Sequence, residues 1–296
     1  LLLCDVWNSH WCRGAVERLD AMVGRMNDVT HAVRDGGGLI VHAPSNTIDF
    51  YAETEARKRV LAMTQTAVPT PAEHEDPPLP IDDSDGGSDT GEADSHRAWD
   101  QQHSGIDMDD ERDVISDNGE EIYSVYADRG IDRMLIMGVH TNMCVLNRSF
   151  AIKQMTAWGI RCVLVRDLTD TMYNPAMPPY VHHHTGTDFI IEYIEKCVCP
   201  TVSSSDLIGG KPHRFFDDKR PTLAIVISEF EYETFQTLPE FARQHLGNDF
   251  RVVYVINDDP NCHDLPGIEI LKDADVAILS IWRRTLPPDQ LQVVRD

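Results

Sequence analysis

The chain has no run of about 18 apolar residues, so no helix in it is built to span a bilayer. It is short of positive charge: 26 Lys and Arg stand against 49 Asp and Glu, a formal net charge of −23 over 296 residues. Such a surface repels nucleic acid and anionic lipid, and it disfavours a polyanionic substrate unless a basic pocket intervenes. A disulfide framework is also missing. The seven cysteines are odd in number and mostly lie in or beside apolar segments. The pair Cys197 and Cys199 has no second pair nearby, so both read as structural and no metal is expected there. There is no initiator Met: the chain opens "LLLCDV", inside an expected strand, and closes "PPDQLQVVRD", inside an expected helix. Both ends read as cut. A signal peptide lost with the N-terminus would leave no trace, so the compartment stays unknown.

What is present alternates. Apolar runs such as "LLLCDV", "GLIVHAPS", "DRMLIMGV" and "RCVLVRDLTD" read as strands. Segments with apolar residues at helical spacing lie between them: 14–37, 49–66, 118–131, 141–160 and 186–198. Strands separated by helices predict a parallel sheet covered on both faces, a three-layer doubly wound α/β domain over 1–208. Residues 67–110 interrupt it with an acidic, Pro/Gly-rich insertion, read as solvated and partly mobile. The polar, basic segment 209–221 suits a linker, and the strand–helix pattern restarts over 222–296 as part of a second α/β domain.

In doubly wound sheets, ligands gather beyond the carboxyl ends of the strands. Asp5 sits at such an end, where an acid is commonly a turn former but needs a partner if buried. "GVHTNMCV" places Cys144 in the first turn of an expected helix capped by Thr141 or Asn142. Free N–H groups there favour a thiolate and can receive an oxyanion, which suits a nucleophile. A packed small hydrophobe fits the same position. Trp7, His10, Trp11 and Thr141 are candidates to line a substrate pocket, with Trp7 placed to stack on a flat substrate. His42, Asp49 and the run His182 to His184 read as structural or capping groups rather than metal ligands.

Asp5 at the end of the first strand and "GVHTNMCV" opening a later helix resemble the isochorismatase-like cysteine hydrolases, a group that includes nicotinamidases and N-carbamoylsarcosine amidase. The resemblance covers about residues 1–208. It implies Cys144 as nucleophile, Asp5 as the proton-transfer group and a cis Val139–His140 peptide. It also implies an oxyanion hole from the N–H groups of His140 and Cys144, a small-molecule substrate, no cofactor, and a homo-oligomer as one form the chain takes. The activity implied is hydrolysis of a C–N bond in a small amide or imide. One member of the implied triad is missing: the family's lysine has no counterpart, because no lysine lies between Lys58 and Lys153. Arg112 and Asp113 stand nearest the slot. An arginine there supplies charge but relays no proton, and an acid there opposes the thiolate. The alternative is therefore a pseudoenzyme that keeps the pocket as a binding or interaction module. Residues 222–296 resemble the start of a ThuA-like domain of the glutamine-amidotransferase-like, flavodoxin-like α/β class. Arg283 and Arg284 stand where its site loops would lie, and Cys262 matches no nucleophile position.

Overall fold

The computed structural model describes every residue except 72–75, 94, 230, 248, 258 and 260–262, and the side chains of 243 and 244. Cys262 thus lies outside the described residues. The chain divides into two compact units, Leu1–Phe215 and Phe216–Asp296.

The first unit is built on six parallel strands: β1 (Leu2–Cys4), β2 (Val41–Ala43), β3 (Val114–Ile115), β4 (Arg133–Val139), β5 (Arg161–Asp170) and β6 (Thr201–Val202). Their order is β3-β2-β1-β4-β5-β6. The winding direction reverses between β1 and β4, and the crevice at that reversal is where a sheet of this kind binds ligands. Helix α1 (Arg13–Asp35) puts Ala15, Leu19, Met22, Met26 and Val29 on one face at helical spacing. Of these, Leu19, Met22, Met26 and Val29 pack with Leu3, Met137, Val139 and Val165 into one core. The opposite face of the sheet, with Leu2, Cys4, Ile136 and Leu164, packs against the remaining major helices. These are α3 (Gly119–Arg129), α5 (Ile152–Ala157) and α6 (His183–Cys197). Alternation along β1 thus feeds two cores, as expected of a central strand.

Local signals set the ends of these elements. The Asn118 side chain accepts from the N–H groups of Glu120 and Glu121 to start α3, and Gly130, with φ +64°, ends it in the left-handed conformation. α2 (Glu55–Leu61) starts at a Thr54 cap, so the helix expected over 49–66 is shorter, with a 3₁₀ turn before it. The helix expected over 141–160 is broken. α4 covers only Cys144–Asn147, Arg148 adopts an extended backbone, and α5 begins at Ile152.

The insertion is irregular as expected, yet much of it is packed rather than solvated. Ile81, Ser88, Gln102 and Ile106 are buried. Its Asp89 forms an ion pair at 2.7 Å with the buried Arg18 of α1, and Arg18 also pairs at 2.7 Å with Asp170 at the end of β5. His183 Nε2 lies 3.0 Å from the same Asp170. Burial raises the Asp170 pKa, but Arg18 and His183 outweigh it and hold the carboxyl far below the usual range. The insertion is thereby fastened across the carboxyl end of the sheet.

The second unit holds three parallel strands, β7 (Thr222–Ser228), β8 (Arg251–Ile256) and β9 (Val276–Ile281), in the order β8-β7-β9. Helices α8 (Thr234–His245) and α9 (Pro288–Arg295) accompany them. In the chain between α6 and this unit lies α7 (Ser204–Ile208), started by a capping box of Ser203 and Asp206. Among the described residues no helix is long and apolar enough to cross a membrane.

Candidate active site

β1 ends at Cys4, and Asp5 turns away with φ +49°, a left-handed conformation that Asp tolerates better than most residues. The turn buries its carboxyl completely. Oδ1 accepts the Ser45 N–H at 2.7 Å, and Oδ2 accepts the Arg148 Nε–H at 3.0 Å. On the neighbouring strand Gly138, with φ +128°, lets the two strand ends meet. A Cβ there would lie 2.0 Å from the Cys4 carbonyl oxygen, so only glycine fits.

The Val139–His140 peptide that follows is cis. Residues 141–144 are held by the end of β5. The Thr141 N–H donates to the Asp170 carbonyl at 2.8 Å, and the Thr141 and Thr169 hydroxyls bond at 2.7 Å. The Asn142 amide exchanges two 3.0 Å bonds with the Met172 backbone and donates to Asp83 of the insertion at 2.7 Å. Thr141 and Asn142 therefore anchor the loop to β5 and do not cap α4, whose N-cap residue Met143 makes no side-chain cap. A four-residue helix also supplies little dipole, so thiolate stabilisation by that route is weak.

The loop brings the Cys144 thiol beside the Asp5 carboxyl and the His140 backbone, close enough for both to act on the sulfur. Burial, then the negative charge of Asp5, pushes the thiol up to about 12, while Arg148 pulls the other way. Burial likewise raises Asp5, opposed by Arg148 and by hydrogen bonds from Cys144 and Ser45. Thiol and carboxyl thus form a buried pair that holds a proton, with one cation against it. The cation is Arg148. It follows Cys144 by one helical turn, its N–H bonding the Cys144 carbonyl at 3.0 Å.

Neither expected substitute for the lysine is at the sulfur. Arg112 is exposed, pairs with Asp109 at 2.6 Å, and lines an open groove of about 1590 Å³ that also includes Leu1, Leu39 and Leu135. Asp113 precedes β3 and so lies at its amino end. It is buried against Arg34 at 2.6 Å and His42 Nε2 at 3.1 Å. The carboxyl end of β3 instead carries buried Ser116, whose hydroxyl bonds Glu121. Arg97 is exposed and donates to the Trp99 carbonyl.

The aromatic candidates do come together. Trp7 stacks on Trp99 at 4.0 Å, and His10 lies parallel to Trp99 at 5.5 Å. His10 meets His140 edge-on at 4.8 Å and Trp11 at 5.3 Å. Both indole N–H groups, of Trp7 and Trp99, donate to the Ser45 carbonyl, the same residue that binds Asp5. Burial lowers His10 to about 4 and His140 well below its ordinary value, so both rings are neutral at neutral pH. The result is an uncharged aromatic wall against the His140 ring and the Ser45 carbonyl, one face of it supplied by the insertion.

Among the described residues no group of three His, Cys, Asp or Glu side chains is placed to hold a metal. His42 is taken up by Asp113 and Gln102, His182 caps α6, and His183 joins the Asp170 cluster. In the second unit Arg283 pairs with Glu231 at 2.8 Å, and Arg284 donates to backbone carbonyls of Ser228, Asn257 and Asp259. Glu229 closes its own loop by accepting from Glu231, Tyr232 and Thr234. These groups are engaged in loop structure.

Sequence reading missed Arg148, Ser45 and Trp99. Arg148 had a usable signal, since residues four apart share a helix face. Ser45 and Trp99 had none, because backbone donation and insertion packing leave no spacing pattern.

No family model matches the chain, and no curated protein matches it. Among solved structures it is similar to an isochorismatase from Pseudomonas putida, at 12% identity and a TM-score of 0.42, over 70% of this chain and 88% of that one. It is also similar to a protein from Oleispira antarctica assigned as an isochorismatase hydrolase, at 14% identity and a TM-score of 0.42, over 71% of this chain and 95% of the other.

Proposed function

We propose that the first unit is a cysteine hydrolase of the isochorismatase-like type, cleaving a C–N bond of a small amide or imide through a Cys144 thioester. The observation that carries this reading is the Asp5–Arg148 ion pair placed beside the Cys144 thiol at the point where the sheet reverses direction.

Because the resting thiol is held protonated, attack requires a base, and Asp5 is the carboxyl beside it. Sγ bonds the carbonyl carbon while its proton passes to Asp5. The oxyanion is received by the N–H groups of His140 and Cys144. The C–N bond then breaks, and Asp5 returns the proton to the leaving nitrogen. Water, deprotonated by Asp5, attacks the thioester and releases the acid with the free thiol. Arg148 relays no proton. It keeps Asp5 ionised and ready to accept one. The neutral wall of Trp7, His10 and Trp99 offers the substrate an apolar flank without adding charge near the thiol.

The rival reading is a binding or interaction module that has lost turnover. The thiol pushed up to about 12 favours it, since Arg148 lowers the pKa by less than burial and Asp5 raise it. Ammonia release from a panel of small amides and imides separates the two. Turnover by the wild type that is abolished in Cys144→Ser and in Asp5→Asn supports hydrolysis. Binding of panel members without ammonia release assigns the module.

A further inference from the structure

Arg148 uses only part of its guanidinium on Asp5. Its Nε donates to Asp5 Oδ2, and among the described residues neither Nη nitrogen has a hydrogen-bond partner. The Arg148 side chain is 33% exposed while that of Asp5 is fully buried. The guanidinium thus presents one edge to the buried carboxylate and leaves the other open beside the nucleophile. The surroundings that act on its charge are Asp5 and the thiols of Cys144 and Cys4, with no second acid among the main contributors. Arginine has five N–H donors in a planar fork, enough to bridge two carboxylates through different edges.

We propose that the open edge of Arg148 recognises a carboxylate, so that the substrate is a small amide or imide bearing a carboxylate within a few bonds of the carbonyl attacked by Cys144. This rests on the hydrolase reading for the reaction, but the anion subsite has its own test. The acidic surface disfavours polyanions, and one guanidinium edge matches one carboxylate, so a monoanionic substrate is specified. Arg148 is then a specificity-determining residue as well as the group that holds Asp5.

The test compares alkylation of Cys144 by iodoacetate and by iodoacetamide, read by peptide mass in the full chain. Both reagents attack the same sulfur, so their rate ratio cancels its nucleophilicity and reports recognition of the carboxylate. The expected ratio exceeds that of a small-molecule thiol by about 10- to 100-fold, the range of a charge-assisted hydrogen bond. It falls to the small-molecule value in Arg148→Gln and lies between in Arg148→Lys, which keeps charge without the fork. A wild-type ratio equal to that of the free thiol, or one unchanged in Arg148→Gln, overturns the proposal. If neither reagent reaches Cys144, the hydrolase reading fails separately. Calorimetric titration with N-acetylglycine, which carries one carboxylate beside an amide, then decides the subsite: binding lost in Arg148→Gln supports it, and no binding to the wild type overturns it.

Discussion

Replacing Arg148 by Gln removes the cation paired with a fully buried carboxylate. Asp5 then either stays charged without a counterion or takes up a proton. The second route sets the ceiling. Protonating an acid of ordinary pKa 3.8 at pH 7 costs about 4 kcal/mol, at 1.36 kcal/mol per unit. Burial has already raised Asp5 in the wild type, and solvent at the exposed third of Arg148 screens the pair. The expected loss is therefore about 2–3 kcal/mol at pH 7. Its pH dependence follows from the sign of the change. In the variant the folded state binds a proton that the unfolded state releases, so stability falls as pH rises, by up to about 1.4 kcal/mol per unit. At pH 5 the loss shrinks to about 1 kcal/mol or less. Urea denaturation followed by tryptophan fluorescence reads this, since four of the five tryptophans lie in the first unit. Asp5→Asn in the same background removes the unpaired acid and recovers much of the loss. An equal cost at pH 5 and pH 7, together with no relief from Asp5→Asn, refutes the coupling of these two residues.

Asp113 lies far from this chemistry but governs acid stability. Burial raises its pKa, but its bonds to His42, Arg34 and the Asp109 N–H outweigh that and hold it at about 2. Its contribution of about 2 kcal/mol is present above pH 4 and lost as pH falls toward 2. Asp113→Asn should therefore flatten the acid limb of a stability–pH curve, and an unchanged limb contradicts the assignment. Trp99→Ala removes the 4.0 Å stack on Trp7 and should cost about 1–3 kcal/mol, with faster proteolysis of the insertion. Unchanged proteolysis would show that Asp89 and Asp83 hold the insertion alone. Gly138→Ala forces a Cβ onto the Cys4 carbonyl and should abolish soluble folded protein. A variant with wild-type melting would refute the close approach of β1 and β4.

The layered fold was legible because its signals are local. Apolar runs made the strands, the 3.6-residue stripe from Ala15 to Val29 made α1, and the Asn118 cap with Gly130 bounded α3. The break after Asn147 was not legible: "CVLNRSFAIKQM" is helical in spacing throughout, and tertiary ties at the strand ends override it. Cys144, Asp5 and the ring residues were legible because a doubly wound sheet gathers such groups at strand ends. The cation was sought upstream at Arg112, where a missing lysine pointed, and it lies downstream at Arg148 because α4 turns that residue back over Asp5. The insertion read as solvated from its acids, yet the partners of Asp83 and Asp89 sit on elements distant in sequence, beyond the reach of composition.

The most direct measurement is the pH dependence of iodoacetamide alkylation at Cys144, with Cys162, pushed up by burial to about 11, as internal control and Asp5→Asn alongside. Coupling of the thiol to a carboxylate base predicts alkylation at neutral pH that exceeds Cys162, rises as Asp5 ionises, and collapses in Asp5→Asn. Alkylation no faster than at Cys162 and indifferent to Asp5 would contradict Cys144 as a nucleophile.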